Sequence, residues 1–466
     1  MSRRIVGALP AAACVLFVLF TYAFFGSAGT LEFRRVHWGT TLYTSQGQGF
    51  LEGHLYMAHT PDPAILALPN PYELAGRQGL PYPFDASLFH KKYYLYFSPV
   101  PLLVFAIPYY RVSHGWPSDA LMATFFCAWS FLVSVAFARR VNAKPLPLWI
   151  LLIGVGNIVP FFLGDIRVYE VASACGMAMG ATWAYTLLRF MEKPSMRSAI
   201  VSGTFLALTI ATRPNAIVLM LVAAAAAFIV HRRLIVAMMI PVAAVGIAYG
   251  AYNYARFGTP FETGLSYQLS VKPMQNEVPC RLCTRSDFGR FFNTAAHYIA
   301  LPPKFLATFP WAQLRYNDVD QRVSFPALPE QVGGFATVTP LTMIASALAL
   351  LLLLANRTGD TRLRASLLLL AGAWIVMLTL STCRWVTARY SLDFYALLLL
   401  GSILAIEHGL SFLRDAGVSV RPLRWLFTAL AIYSIVTGLF LGLNGPRGVF
   451  QERNPEVFNR LARVLN

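Results

Sequence analysis

The hydrophobic residues of this chain fall into long apolar runs that are separated by short polar stretches. Runs of about 18–22 residues are long enough to cross the hydrocarbon core of a bilayer as helices. Backbone in that layer must satisfy its own hydrogen bonds, which favours helices. The pattern therefore predicts an all-α polytopic membrane protein, a single bundle over residues 1–466. We predict about eleven spans, near residues 5–25, 117–138, 146–163, 171–190, 198–212, 214–231, 234–254, 336–355, 365–381, 390–409 and 424–442.

The stretch 96–112 is apolar too, but it is short and contains three prolines. Proline breaks a helix interior, so we predict a helix that lies at the membrane interface or is half inserted. With that assignment the basic clusters between spans all fall on one side, which the positive-inside rule makes cytoplasmic. The clusters are Arg3/Arg4, Arg139/Arg140/Lys144, Lys193/Arg197, Arg232/Arg233, Arg357/Arg362/Arg364 and Arg414/Arg421/Arg424.

The same assignment places the N-terminus in the cytoplasm. The outer side then holds two large loops, 27–116 and 255–335, together with the tail after residue 443 and several short turns. The first apolar run is longer than the apolar region of about 7–15 residues in a cleaved signal peptide. We therefore predict that it stays in the protein as the first span. No internal repeat is visible in the sequence.

Composition supports the membrane assignment and limits the classes of partner that are expected. The chain is 57% hydrophobic and 13% charged, whereas soluble domains carry about 25% charged residues. A net charge of +17 could indicate nucleic acid. However, the positive charges lie in short clusters between apolar runs, where they set orientation. Membrane lipids are therefore expected partners, and nucleic acid is not.

Charged residues of both signs gather on the predicted outer side. Ionisable groups at membrane depth cost about 2.5–3.5 kcal/mol each and often mark a site. Arginines at span ends can instead reach the headgroups, and Asp165–Arg167 and Arg389–Asp393 can be ordinary ion pairs. Because arginine binds phosphate through a fixed fork of donors, we predict a polyprenyl phosphate at Arg213, Arg384 and Arg389. The predicted substrate contacts are Arg167, Tyr169, Glu170, Asn215 and Tyr390.

Four segments resemble the GT-C superfamily of polytopic glycosyltransferases. They are FLEGHLYMAHTPDP (50–63), DASLFHKKYYLYFSPVPLLVFAIP (85–108), IATRPNAIVL (210–219) and YNYARFGTPFETGLSY (252–267). The resemblance implies a GT-C fold, a polyprenyl-phosphate sugar donor, and transfer on the outer side of a bacterial inner membrane. The acceptor would be a glycan, a lipid or a protein. Arg256, in the last segment, joins the predicted phosphate-binding residues.

A carboxylate is expected to act as the base. Many members of that superfamily carry an acidic residue soon after the first span, whereas here no carboxylate lies between Glu32 and Glu52. We therefore predict Asp85 as the base, followed by Asp62 and then Glu52. The alternative for Asp85 is a structural role in a loop turn or as the N-cap of a helix.

Some members of the superfamily use a divalent metal, but the ligand spacing here assigns none. Cys280 and Cys283 lack a second pair of zinc ligands, so we predict a local disulfide in an oxidising compartment. Cys14, Cys127 and Cys175 lie in spans and are expected to pack there. Two other functions stay open: a transporter or flippase of lipid-linked sugar, and a relative that binds such a lipid without catalysis.

Overall fold

The computed structural model describes residues 2–33, 42–275, 284–316, 330–355, 359–383 and 386–465. Most of these residues are helical and very few lie in strands, which agrees with the predicted all-α membrane class. The helices are α1 (Ser2–Gly26), α2 (Leu42–Leu51), α3 (Pro63–Leu66), α4 (Ile107–Ser113), α5 (Asp119–Arg140), α6 (Leu146–Val155), α7 (Val159–Phe162), α8 (Val168–Glu192), α9 (Met196–Thr212), α10 (Leu219–His231), α11 (Leu234–Phe257), α12 (Arg285–Ala300), α13 (Phe335–Val338), α14 (Leu341–Leu354), α15 (Thr361–Ser381), α16 (Leu392–Asp415), α17 (Arg421–Asn444), α18 (Val449–Arg453) and α19 (Pro455–Leu465).

Among the described residues, three short antiparallel strand pairs accompany the helices. β1 (Ser87–Phe89) pairs with β2 (Lys92–Tyr94), β3 (Lys304–Phe305) with β4 (Ala312–Gln313), and β5 (Arg315–Tyr316) with β6 (Gln331–Val332). In the first hairpin, Leu88 lies opposite Tyr93. One isolated bridge, between Ser87 and Gln268, ties this hairpin to the segment that follows α11.

Eight helices among the described residues are long and apolar enough to cross a membrane. Each of the eleven predicted spans coincides with helical structure, but three coincide with shorter apolar helices, at 146–162, 196–212 and 341–354. The predicted span 146–163 is interrupted because the Asn157 amide donates to the Ile153 carbonyl at 2.7 Å and accepts from the Val159 N–H at 2.8 Å. The count of eleven crossings therefore stays a prediction. Pro99 and Pro101 precede a short helical segment at 102–113, and Pro108 lies within it. The depth of this segment in the bilayer also stays a prediction.

Helix α8 forms the centre of the bundle. In its most apolar stretch 94% of the residues are buried, against 11% for α11 at the periphery. Small residues such as Gly176 and Gly180 allow neighbouring helices to approach closely. Most of α8 is consequently enclosed by neighbouring helices, and the polar turn that contains Asp165 and Arg167 precedes its first residue.

The C-terminal tail turns back onto this end of the bundle. After α17 the chain reverses at Gly445, whose φ of 66° favours glycine. The Asn454 amide then donates to the Ala28 carbonyl at 2.9 Å, and the ring of Phe458 packs 4.8 Å from that of Phe309. The turn at Gly445 thus directs α18 and α19 towards the residues that follow α1.

Candidate functional site

Arg213 is held by a buried carboxylate. The residue follows α9 in an extended conformation, and Pro214 then starts a 3₁₀ turn. Its Nε donates to Asp393 Oδ1 at 2.8 Å and its Nη2 to Oδ2 at 2.7 Å. The Asn215 amide adds a third donor, 2.9 Å from Oδ2. The third guanidinium nitrogen, Nη1, makes no hydrogen bond to a described residue, and 15% of the side chain stays exposed.

Arg389 lies near the same tyrosine ring, Tyr390, as Arg213. The two guanidinium carbons lie 5.3 Å (Arg213) and 5.6 Å (Arg389) from the centre of the Tyr390 ring. The Arg389 Nη1 contacts Glu330 at 3.1 Å and Glu170 at 3.7 Å. Within the described part of the chain, its Nε and Nη2 have no hydrogen-bond acceptor. Each arginine is thus fixed by carboxylates at one edge and keeps donors available.

Three arginines surround Asp165, a buried residue in the turn between α7 and α8. Arg167, Arg447 and Arg453 contact its two oxygens at 2.5, 2.7 and 2.6 Å. The predicted ion pair Asp165–Arg167 is therefore confirmed. The predicted pair Arg389–Asp393 is wrong, because Asp393 is bound by Arg213 and Arg389 turns to Glu330 instead.

Arg389, Arg167 and Arg447 line one small cavity of about 40 Å³. Its charged lining residues are Asp165, Arg167, Glu170, Glu330, Arg389 and Arg447. The Glu170 carboxylate also accepts the Arg167 backbone N–H at 2.9 Å, which caps the start of α8. Sequence reasoning missed Glu330, Arg447 and Arg453. The two arginines could have been found, because the tail that carries them was placed on the outer side.

Asp85 lies where the two predicted outer loops meet. Its backbone N–H donates to the Leu269 carbonyl at 3.1 Å, and the Gln268 amide donates to its Oδ1 at 2.7 Å. Its φ of 64° is left-handed, a conformation that costs a residue other than glycine about 1–3 kcal/mol and is often found at functional sites. Of the two predicted alternatives, the N-cap of a helix does not apply, because β1 follows, but Asp85 does lie in a loop turn, in which the Ala86 N–H donates to the Pro83 carbonyl at 3.1 Å.

The protonation state of Asp85 is set by opposing influences. Burial raises the pKa of Asp85 to about 7. Hydrogen bonds from Ser270 and Gln268 and the positive charges of Arg389 and Arg77 act in the opposite direction, but they are weaker than the effect of burial. The carboxyl group is thus close enough to Arg389 to sense its charge. A carboxyl with this pKa is well suited to accept a proton near neutral pH.

Tyr96 lies within electrostatic reach of both Asp85 and the arginines. Burial raises the pKa of Tyr96 well above its ordinary value, and the nearby charge of Asp85 raises it further. The hydroxyl also senses Tyr390, Arg389 and Arg213. It therefore stays protonated at neutral pH. We call Asp85, Tyr96, Arg213, Arg389 and Tyr390 the central group.

Three of the predicted residues, Glu52, Asp62 and Arg256, make local structural contacts. Glu52 is 47% exposed and pairs with His54 at 3.0 Å. Asp62 caps α3 by accepting the Ala64 N–H at 2.7 Å. Arg256 is buried and donates to the Leu95 carbonyl at 2.7 Å, with its guanidinium carbon 3.8 Å from the centre of the Tyr252 ring. Each contact accounts for its residue structurally.

Arg384, Cys280 and Cys283 lie outside the described residues, so their predicted roles stay predictions. Cys383 is disulfide-bonded. In the part of the chain that the structure covers, no group of three or more His, Cys, Asp or Glu side chains is arranged to hold a metal ion. Comparison with models of protein families and with curated proteins finds no match to this chain.

Proposed function

We propose that this chain is a membrane glycosyltransferase that moves a sugar from a polyprenyl-phosphate donor to an acceptor hydroxyl on the outer face of the cytoplasmic membrane. The observation that carries the proposal is Asp85, a buried carboxyl with a pKa of about 7, within electrostatic reach of Arg389. A proton acceptor and a phosphate-binding cation are the two groups that this transfer needs, and here they belong to one site at the end of an apolar bundle.

Asp85 would act as the general base. The acceptor oxygen attacks the anomeric carbon as its proton moves to the Asp85 carboxylate. The bond from that carbon to the phosphate oxygen breaks, and its electron pair leaves with the phosphate. A single displacement inverts the anomeric centre.

The arginines would stabilise the charge that grows on the leaving phosphate. Arg389 keeps Nε and Nη2, and Arg213 keeps Nη1, without a hydrogen bond to any described residue. Fixed donors in a site with little water stabilise such charge strongly. The carboxylates Glu330 and Asp393 hold the guanidinium groups in place before the donor arrives.

Two observations favour a site that faces the outer side of the membrane. The basic clusters favour the opposite end of the bundle as cytoplasmic. In addition, Cys383 is disulfide-bonded, and it lies only six residues before Arg389 in the chain. Disulfides persist in oxidising compartments. Both favour an outward-facing site and a cytoplasmic N-terminus.

The decisive experiment measures donor binding and sugar transfer with purified protein and a panel of polyprenyl-phosphate sugars. We expect Asp85→Asn to keep donor affinity and to lower transfer by about 10²–10⁴-fold, the usual contribution of a general base. Asparagine also tolerates the left-handed backbone. Asp62→Asn and Glu52→Gln serve as matched controls and should retain transfer.

Other outcomes would assign the base to another residue, indicate another function, or refute the proposed function. Loss of transfer in Asp62→Asn or Glu52→Gln alone would move the base to that residue. A parent protein that binds donor without transferring sugar would indicate a non-catalytic binder. Movement of the donor across a vesicle membrane, without transfer, would indicate a flippase. A parent protein that binds none of the donors would overturn the proposed function.

A further inference from the structure

A second cavity lies at the opposite end of the bundle, among the predicted cytoplasmic ends of α6, α16 and α17, and it extends to Leu341 in the first turn of α14. Its volume is about 650 Å³, within the range of about 300–1,000 Å³ that small-molecule sites occupy. Helix α16 connects the two sites, with Asp393 near one end and Glu407 near the other. Fourteen residues of helix separate these positions by about 21 Å, so the cavity is distinct from the site described above.

The wall of the cavity is mostly apolar. Among the lining side chains, Leu152 and Leu341 are fully or almost fully buried, and Phe427 and Ala431 are also buried. The opening lies beside Trp425, which is 66% exposed. Helix α17 continues from there with exposed apolar side chains that include Ile432 and Val436. The mouth therefore opens on the surface that faces lipid in a membrane bundle, and aromatic residues such as Trp425 are typical of the interface.

Cations line one side of this apolar cavity. Lys144, Arg421 and Arg424 lie on its lining, and among the described residues none of them makes a salt bridge. The lining also contains one carboxylate, Glu407. It accepts the Lys144 backbone N–H and the Trp149 indole N–H, both at 3.0 Å. Three positive charges thus face one negative charge that is already hydrogen-bonded to the cavity wall.

We propose that this cavity binds an anionic phospholipid of the surrounding leaflet. The phosphate would lie between Arg421, Arg424 and Lys144, and the start of an acyl chain would lie against Leu148 and Phe427. Cations close to a membrane surface attract anionic headgroups by about 1 kcal/mol each. Glu407 fixes the Lys144 turn and Trp149, and so shapes the wall without neutralising the site.

The test uses the full-length protein, stripped of lipid in detergent and titrated with phosphatidylglycerol, phosphatidylcholine or polyprenyl phosphate. Native mass spectrometry counts the bound lipid. We expect phosphatidylglycerol to bind to a single saturable site. The double variant Arg421→Gln/Arg424→Gln should weaken that binding about thirtyfold, the effect of removing two cations near an anionic headgroup. The matched control Arg232→Gln/Arg233→Gln removes two exposed cations from the same predicted face and should bind normally.

Two further variants separate the apolar and polar parts of the site. Ala431→Leu adds volume to the lining without changing charge, and it should also weaken binding. Glu407→Gln keeps a hydrogen-bond acceptor and removes the negative charge, so it should bind phosphatidylglycerol at least as tightly. Equal affinity for phosphatidylcholine, equal loss in the control pair, or saturable binding of polyprenyl phosphate alone would each overturn the proposal. Transfer activity is not part of the readout, so the result is independent of the proposed function.

Discussion

Removal of Arg213 should destabilise the bundle, because Asp393 would then lie buried without its cation. The Asp393 side chain is fully buried, and two of its contacts to Arg213 are charge-assisted hydrogen bonds of 2.8 and 2.7 Å. Breaking a buried ion pair by removing one partner costs about 3–5 kcal/mol. The Asn215 amide, at 2.9 Å, would offset part of this. We therefore expect about 3 kcal/mol for Arg213→Met, the lower end of that range.

The reverse change should cost less. In Asp393→Leu the unpaired group is Arg213, whose side chain is 15% exposed and can turn towards water. The double variant Arg213→Met/Asp393→Leu replaces the pair with apolar groups, a change that is often close to neutral. The two single variants should therefore sum to far more than the double variant, with a coupling energy of about 3 kcal/mol or more, at the upper end of the range for directly contacting residues.

The measurement is reversible unfolding of the purified protein in mixed detergent micelles for the parent, both single variants and the double variant. Donor binding, measured on the same samples below the unfolding transition, separates the two roles of Arg213. Arg213→Lys keeps the charge and loses the bidentate contact, so it should be intermediate in both assays. A loss below about 1 kcal/mol in Arg213→Met, the value typical of exposed pairs, or a double variant equal to the sum of the singles, would refute this reasoning.

Four other measurements test three separate parts of the structure. A Cβ at Gly176 would lie 2.4 Å from Arg213 Cγ, so Gly176→Ala should lower the free energy of unfolding by about 1–3 kcal/mol through overpacking. Gly180→Ala is the control, because a Cβ there would lie 3.8 Å from its nearest neighbour and should leave the free energy of unfolding unchanged. Because the pKa of Asp85 is raised to about 7, transfer should increase with pH through about 7, and Asp85→Asn should abolish that dependence. In the folded state Asp85 binds its proton more tightly than in the unfolded chain, so its contribution to stability should decline from about pH 4 to pH 7, a slope that thermal melts of Asp85→Asn should lack. Cysteine placed at Lys144 should be shielded from impermeant thiol reagents in whole cells, whereas cysteine at Gln275 should react; labelling at Lys144 would reverse the predicted orientation.

The order of apolar runs and basic clusters determined much of the fold. Backbone in hydrocarbon must satisfy its own hydrogen bonds, so long apolar runs become helices whatever packs around them. All eleven predicted runs coincide with helical structure for this reason. The continuous run at 146–163 was harder to interpret, because the side-chain contacts of Asn157 with both adjoining helices depend on local geometry that periodicity does not reveal.

The sequence also placed most of the central group on one face. Permanent charges beside apolar runs are costly at membrane depth, so Arg213 and Arg389 stood out without a structure, and so did Asp85 in its aromatic surroundings. Asp62 and Glu52 looked equivalent to Asp85 by residue type and loop. Only the fold separated them, because burial and hydrogen bonding leave Asp62 as a helix cap and Glu52 as a surface pair.

The pairing of charges was decided by the tertiary structure alone. Asp393 is four residues from Arg389 in the chain, but it binds Arg213, which lies 180 residues away. Arg447 and Arg453 reach Asp165 only because the chain reverses at Gly445 and brings the tail across the end of α8. A sequence shows which residues are costly to bury, since that cost is a property of each side chain. Which partner offsets the cost depends on distances between helices, and these are set only when the whole bundle packs.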